Sequence, residues 1–146
     1  MNTPLVSINI PVYKCENYII RCLESVKNQT YQHLEIILVN DCTPDNSVQL
    51  IEKFSESNPN LTIKIIHLES NQGLSVVRNR GIEESIGKYI YFLDSDDDII
   101  VDCIEKLVEN VLINNTEMVI SQNRWINTFD QSIKDFGFPT LSKKKV

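Results

Sequence analysis

Tyr89-Ile90-Tyr91-Phe92-Leu93 runs directly into Asp94-Ser95-Asp96-Asp97-Asp98. Aromatic and β-branched residues favour a strand, and nothing polar interrupts this one. The strand therefore delivers four carboxylates into the loop that follows it. Between Asp94 and Glu109 there are seven acids and a single base, Lys106, a local charge of -6 that equals the formal net charge of the whole chain. Such a segment repels itself or holds a cation.

Outward from that stretch, the pattern repeats. Val6, Ile8, Ile10 and Val12 alternate with uncharged partners, as in a mostly buried strand that Pro11 should end. Tyr18, Ile19, Cys22, Leu23 and Val26 recur at helical spacing, predicting a helix over 16–28. Leu34 to Val39 is a second strand, stopped by Asn40-Asp41-Cys42-Thr43-Pro44. Pro44 and Asp45 suit the first turn of a helix carrying Val48, Ile51 and Phe54. Thr62 to Leu68 reads as a third strand. Leu74, Val77, Gly81, Ile82 and Ile86 line a helix that Gly87 should close. After the acidic loop, Val101 to Leu112 carries another helical stripe, and Glu117 to Ser121 is expected as a fifth strand. Strands alternating with helices imply an α/β fold, with a mostly parallel sheet and helices on both faces. Ligands of such sheets bind beyond the carboxyl ends of the strands. Pro11 to Lys14, Asn40 to Cys42 and Asp94 to Asp96 are all expected at that edge.

Composition narrows the class. The chain has 146 residues, 42% hydrophobic and 23% charged, enough for one packed domain. A net charge of -6 argues against a general nucleic-acid binder, which needs clustered Lys and Arg. No apolar run approaches the roughly 20 residues that span a bilayer. Met1-Asn-Thr-Pro-Leu5 lacks the basic and apolar regions of a signal peptide. A cytoplasmic chain with reduced Cys15, Cys22, Cys42 and Cys103 is expected, with peripheral association at the inner face of a membrane left open. From Arg124 onward the periodicity fades, and the ending Ser142-Lys-Lys-Lys-Val146 reads as a solvated tail.

Several residues are candidates for chemistry. Asp94 and Asp96 offer hard oxygen ligands for Mg²⁺ or Mn²⁺, and one or two carboxylates plus substrate phosphates is the usual Mg²⁺ arrangement. The alternative is an acidic turn that favours the dipole of the next helix. Asp41 can accept from a ribose or a base, or can serve a turn over Thr43 to Asn46. Tyr13 can stack on a nucleobase or pack at the rim. Arg78 and Arg80 follow Gly73, a turn residue. At most one of the two faces the site, and Arg78, nearer the helix start, is preferred for pairing with phosphate; the alternative is an ion pair to Glu83 or Glu84. His33 and His67 lack neighbours at metal-ligand spacing and read as structural. Gln122-Asn-Arg-Trp125 is taken as a chance match to a longer box.

As an ordered set, these segments resemble the family 2 glycosyltransferases. The matching residues are Val6-Ser-Ile-Asn-Ile-Pro-Val-Tyr13 with Tyr18-Ile19, Gln29-Thr-Tyr31, Leu34-Glu-Ile-Ile-Leu-Val-Asn-Asp41, Asp45-Asn-Ser47, Asn71-Gln-Gly-Leu-Ser75, Arg78-Asn-Arg-Gly81 and Gly87-Lys-Tyr-Ile-Tyr-Phe-Leu-Asp-Ser-Asp-Asp97. The resemblance covers residues 4–113. It implies the Rossmann-like GT-A nucleotide-diphospho-sugar fold, truncated at the C-terminal side, with a donor-binding domain over 1–123 and the start of the acceptor region or a tail over 124–146. It implies that Pro11 and Tyr13 border the nucleobase, Asp41 binds base or ribose, Arg78 faces the nucleotide, Asp94 touches the ribose, and Asp96 holds Mn²⁺ or Mg²⁺. The donor implied is a nucleotide-diphospho-sugar, UDP-sugar before TDP or GDP forms, and the acceptor a hydroxyl of a carbohydrate or glycolipid in polysaccharide or glycoconjugate synthesis. The reaction implied is inverting. Its general base is expected beyond this chain, since Asp130 and Asp135 qualify by position alone. Cys42 departs from the family, which often has Gly there. The alternative reading is a truncated nucleotide-sugar-binding module without activity of its own. A nucleotidyltransferase would need a basic, Gly-rich loop after the first strand, and Pro11-Val-Tyr-Lys-Cys15 is not one.

Overall fold

The structure, a computed structural model, describes residues 3–121 together with the backbone of 123–126 and 133–136. The chain divides into two compact units, residues 1–105 and 106–146. In the first, strands β1 (Val6–Val12), β2 (Leu34–Asn40), β3 (Ile63–His67) and β4 (Tyr89–Phe92) form one sheet in the order β3-β2-β1-β4. Every neighbouring pair is parallel. Helices α1 (Ile19–Lys27), α2 (Ser47–Ser57) and α3 (Leu74–Glu84) connect successive strands. Helix α4 (Cys103–Asn114) starts at the end of this unit and continues into the second.

The strand order fixes the layers. From β1 to β3 the chain steps in one direction across the sheet, then returns past β1 to β4. Right-handed crossovers put α1 and α2 on one face and α3 on the other. Side-chain alternation agrees. Ser7, Asn9 and Pro11 pair with Glu35, Ile37 and Val39, and on that face Ile37 and Val39 form a core with Val77 of α3. Val6, Ile8, Ile10 and Val12 point to the opposite face and are all buried. The stripes Ile19, Cys22, Leu23 and Val26 of α1 and Ile51 and Phe54 of α2 are buried as well. Each fully buried aliphatic side chain contributes about 1.5–3 kcal/mol, so the sheet centre dominates stability.

Pro11 lies inside β1 rather than ending it. The bonds from Leu93 N–H to the Asn9 carbonyl (3.0 Å) and from Asp41 N–H to the Val12 carbonyl (3.0 Å) show that odd residues of β1 face β4 and even ones face β2. The β4 pairing stops at Asn9 opposite Phe92, so the missing N–H of Pro11 falls where the ladder has already ended. Helix α1 begins later than expected, because residues 15–18 first form a turn closed by Tyr18 N–H to the Cys15 carbonyl at 2.9 Å. Pro44 and Asp45 precede α2 instead of occupying its first turn. Gly87 does not close α3, which ends at Glu84. It lies against β1, where a Cβ would sit 2.5 Å from Ser7 Oγ and 2.7 Å from its backbone nitrogen. The Gly87 and Ile86 amides and the Ser7 hydroxyl all donate to the buried Glu35 carboxylate, with the amides at 3.1 and 2.8 Å. That buried acid is satisfied by hydrogen bonds alone.

In the second unit, α4 ends in a Schellman turn. Asn115 takes φ 48, and Thr116 N–H donates to the Val111 carbonyl at 3.2 Å. The strand expected over Glu117 to Ser121 does not form: among the described residues these have no ladder partner. β5 (Asn123–Ile126) and β6 (Ile133–Phe136) instead form an antiparallel pair, with Trp125 opposite Lys134. Gln122 and Asp130, and the side chains of Arg124, Trp125 and Asp135, lie outside the described residues, as does the 142–146 tail.

Candidate functional site

The site builds from the carboxyl ends of β1, β2 and β4. Asp41 follows β2 and is buried. Its Oδ1 accepts the Gln72 N–H at 2.7 Å and its Oδ2 the Gly73 N–H at 2.9 Å, while Asn71 Nδ2 donates to its carbonyl at 3.3 Å. Asp41 thus receives the amide of Gly73, the N-cap of α3, and that of the residue before it, and its charge suits the positive end of the helix. Gly73 reaches this position only through φ 85, ψ 162, a conformation essentially restricted to glycine. Asp41 serves no turn over Thr43 to Asn46. Asn40 accepts the Thr43 N–H at 2.9 Å, and Asp45 accepts from the Ser47 and Thr43 hydroxyls at 2.6 and 2.8 Å. Partial burial works to raise the Asp45 carboxyl, but hydrogen bonds from both hydroxyls and from the Glu16 and Ser47 amides outweigh it and bring it down to about 2.

Tyr13 and Lys14 continue from β1. Tyr13 is 43% exposed, and the Lys14 ammonium lies 5.3 Å from its ring centroid. Lys14 and Cys42 take φ 51 and φ 54, so both turns at this edge use left-handed residues that are not glycine. Cys42 therefore keeps the backbone conformation that a Gly would supply, with strain of about 1–2 kcal/mol. The two loops are fastened together: Lys14 N–H donates to Thr43 Oγ1 at 2.8 Å and Cys15 N–H to Ser47 Oγ at 3.1 Å.

Arg78 and Arg80 separate as their spacing on a helix requires. Arg80 pairs with Glu83 at 3.1 Å and Glu84 at 2.5 Å. Arg78 reaches across to Asp94, Nη2 to Oδ1 at 2.7 Å, over the ring of Phe92. Its Nε is buried without a hydrogen-bond partner. Both side chains of this pair are partly exposed, so the pair remains open to exchange for another polar partner.

Asp94 begins the acidic loop, and Asp97 N–H donates back to its carbonyl at 3.0 Å. Asp96, Asp97 and Asp98 are exposed. Loss of solvent, then repulsion from Asp96, Asp94 and Asp98, raises the Asp97 carboxyl, with Arg21 opposing. A hard, all-oxygen donor set of this kind suits Mg²⁺ or Mn²⁺. Among the described residues no group of three or more His, Cys, Asp or Glu side chains could hold a metal by itself. The residues present fit a cation that takes one or two carboxylates from the protein and its remaining oxygens from phosphate and water.

Asp41 accepts two amides at the start of α3, Arg78 of the same helix pairs with Asp94, and Asp96 lies two positions further along the acidic loop. Pro11 stands opposite Val39 of β2, and Tyr13 follows Val12, whose carbonyl accepts the Asp41 N–H. The amides of Gln72 and Gly73 were not foreseen as partners of Asp41, although a glycine just before a helical stripe is the available signal. Arg21 was also missed: its Nη2 donates to the Asp96 carbonyl at 2.8 Å. Cys22 is buried, its thiol pushed up to about 12 by burial foremost, so it is a protonated core group rather than a nucleophile. His33 and His67 bond to the Thr3 carbonyl and Asn40, each through Nδ1. A cleft of about 370 Å³ opens at the opposite edge, lined by Leu5, His33, Leu34, Thr62 and Ile86 among others, away from these carboxylates. Among the described residues no helix is long and apolar enough to cross a membrane.

Residues 7–139 match the family described as Glycosyl transferase family 2. EpsH of Bacillus subtilis is 44% identical over 120 residues, covering 82% of this chain and 34% of that protein. The chain thus spans about a third of that relative's length. Among solved structures, S. aureus TarS in complex with UDP superposes with a TM-score of 0.69 at 28% identity, covering 75% of this chain and 32% of the other. A mannosyltransferase from Pyrobaculum calidifontis, in complex with GDP-Man and Mn²⁺, shares the fold with a TM-score of 0.63 at 20% identity, over 66% of this chain and 28% of its own. The parallel sheet, the loops at its carboxyl edge and the match over residues 7–139 together show that the chain belongs to the family 2 glycosyltransferases and has their GT-A fold.

Proposed function

We propose that this chain binds a nucleotide-diphospho-sugar and, within the whole protein, transfers its sugar to an acceptor hydroxyl of a carbohydrate or glycolipid. The observation that carries the reading is the Arg78–Asp94 pair, which ties α3, whose start holds Asp41, to the loop that carries Asp96. UDP is the favoured nucleotide, supported by the TarS complex. TDP and GDP sugars are the other arms of any donor panel.

In this reading residues 1–123 form the donor part, and 124–146 begin the acceptor side or end as a tail. Tyr13 stacks on the base, beside Pro11. Asp41, already oriented by two amides, accepts from the base or ribose with its remaining lone pairs. Arg78 exchanges its bond to Asp94 for a phosphate oxygen, which frees Asp94 for the ribose hydroxyls. Asp96 would hold Mn²⁺ or Mg²⁺, a cation that neutralises the charge developing on the departing diphosphate. That the mannosyltransferase was solved with GDP-Man and Mn²⁺ supports a divalent cation accompanying the donor. Inversion requires a base on the acceptor side, worth roughly 10²–10⁴-fold in rate, and no described residue at this edge is placed for it.

The second reading is a donor-binding module without turnover, favoured by that missing base. Saturation-transfer NMR with UDP-, TDP- and GDP-sugars tests binding, and a product assay with the same donors separates the two readings. Binding with steady product formation excludes the silent module. If Asp96→Ala keeps metal-dependent nucleotide binding, the role given to the acidic loop is wrong.

A further inference from the structure

Residues 93–102, which carry Asp94 and Asp96, contain neither strand nor helix. Their conformation is imposed from α1. Arg21 Nη2 donates to the Asp96 carbonyl at 2.8 Å and lies 3.6 Å from Asp98 Oδ1. Cys22 Sγ donates to the Asp94 carbonyl at 3.7 Å. Ser25 Oγ accepts the Ile99 N–H at 3.2 Å while donating to the Cys22 carbonyl at 2.7 Å. Past the end of α1, the fully buried Gln29 donates to the Ile100 carbonyl at 2.8 Å and accepts the Ile104 N–H at 3.0 Å. Thr30 N–H donates to the Val101 carbonyl at 2.8 Å. Positions 21, 22 and 25 share one face of a helix, so a single rigid surface grips the loop along its length.

Most of these contacts hold the far half of the loop and serve the core. Arg21 differs, because it engages the backbone of residue 96 itself and the carboxylate two positions on. We propose that Arg21 is a positioning residue: by binding the Asp96 carbonyl and flanking Asp98, it turns the Asp96 carboxylate outward toward the cation that accompanies the donor. The proposal rests on the donor-binding reading above. It differs from a simple counter-charge role in the sign of its effect. A counter-charge opposes the cation, so its removal tightens cation binding. A positioning group favours the productive geometry, so its removal weakens it. Loss of outer-shell partners of metal ligands typically lowers metal affinity about 10–100-fold, and the half-exposed Arg21 belongs at the lower end.

The test uses the full chain as wild type, Arg21→Met, Arg21→Lys and Asp96→Ala. UDP is titrated calorimetrically across a series of Mn²⁺ concentrations, and amide exchange over residues 95–98 is followed without ligand. Arg21→Met is expected to raise the half-saturating Mn²⁺ concentration about tenfold, to leave metal-free UDP affinity unchanged, and to speed exchange at residues 95–98. Arg21→Lys, which keeps the charge and one donor, is expected to restore part of the loss and covers the case in which the Met variant fails to fold. An unchanged or lowered half-saturating Mn²⁺ concentration in a folded Arg21→Met chain overturns the proposal. A wild type with no Mn²⁺-dependent UDP binding overturns the donor reading and the proposal with it, and the exchange rates still report whether Arg21 orders the loop.

Discussion

Gly73→Ala isolates backbone conformation from packing. A Cβ at residue 73 meets no atom within 4 Å, so the substitution creates no clash. What it opposes is φ 85, ψ 162. Strain in that region is of order 1–3 kcal/mol for a residue with a side chain. The unfolded chain offsets part of this, because alanine loses about 0.5–1 kcal/mol less conformational freedom on folding than glycine. The net destabilisation is then centred on about 1 kcal/mol, within about 0–2.5 kcal/mol. For a unit of this size about 1 kcal/mol lowers the melting temperature by roughly 5 °C. If the backbone instead relaxes, the Gly73 and Gln72 amides leave Asp41, and hydrogen bonds to a charged group worth about 1.5–3 kcal/mol each are weakened. Thermal and urea unfolding, read side by side, give the stability change, and the urea slope checks that the transition stays two-state. A Gly73→Ala chain as stable as wild type would mean that residue 73 is not held at positive φ and that the Asp41 site is not built as described.

Three further outcomes follow from single positions. Gly87→Ala places a methyl group against the Ser7 backbone and should destabilise by about 3 kcal/mol, measured by urea unfolding. Cys42→Gly removes left-handed strain of about 1–2 kcal/mol and adds about 0.5–1 kcal/mol of unfolded-state entropy, so stability should rise by about 0.5–1 kcal/mol, while Cys42→Val should lower it. Asp45 is held near 2, below its ordinary 3.8, so its stabilisation is present above pH 4 and is lost as pH falls toward 2. Asp45→Asn should flatten the stability profile across that window and, at neutral pH, lower stability by about 1 kcal/mol, the usual net value of a hydrogen bond.

The sheet was legible because its strands are short apolar runs bounded by turn residues. β1, β2 and β4 lie within a residue of expectation, and their order follows from the alternation with helices. Element ends were less legible. Residues 16–18 fall within the helix expected over 16–28 but form a turn first, and Gly87 resembles a helix stop while serving a close approach to β1. Glu117 to Ser121 has strand-like composition, yet a strand exists only with a partner edge, and composition does not supply one. The acidic loop and Asp41 were visible as carboxylates at strand ends. Their partners were not. Arg21 and Asp96 are 75 positions apart, as are Gln29 and Ile104, and Asp41 finds its amides 31 and 32 positions on. Local periodicity carries no information about contacts at that separation.

Calorimetric titration of UDP into the folded chain, with and without Mn²⁺, tests donor binding most directly. Binding that strengthens with Mn²⁺ and loses that dependence in Asp96→Ala is the expected result. A folded chain that binds none of UDP, TDP and GDP, with or without Mn²⁺, would contradict it.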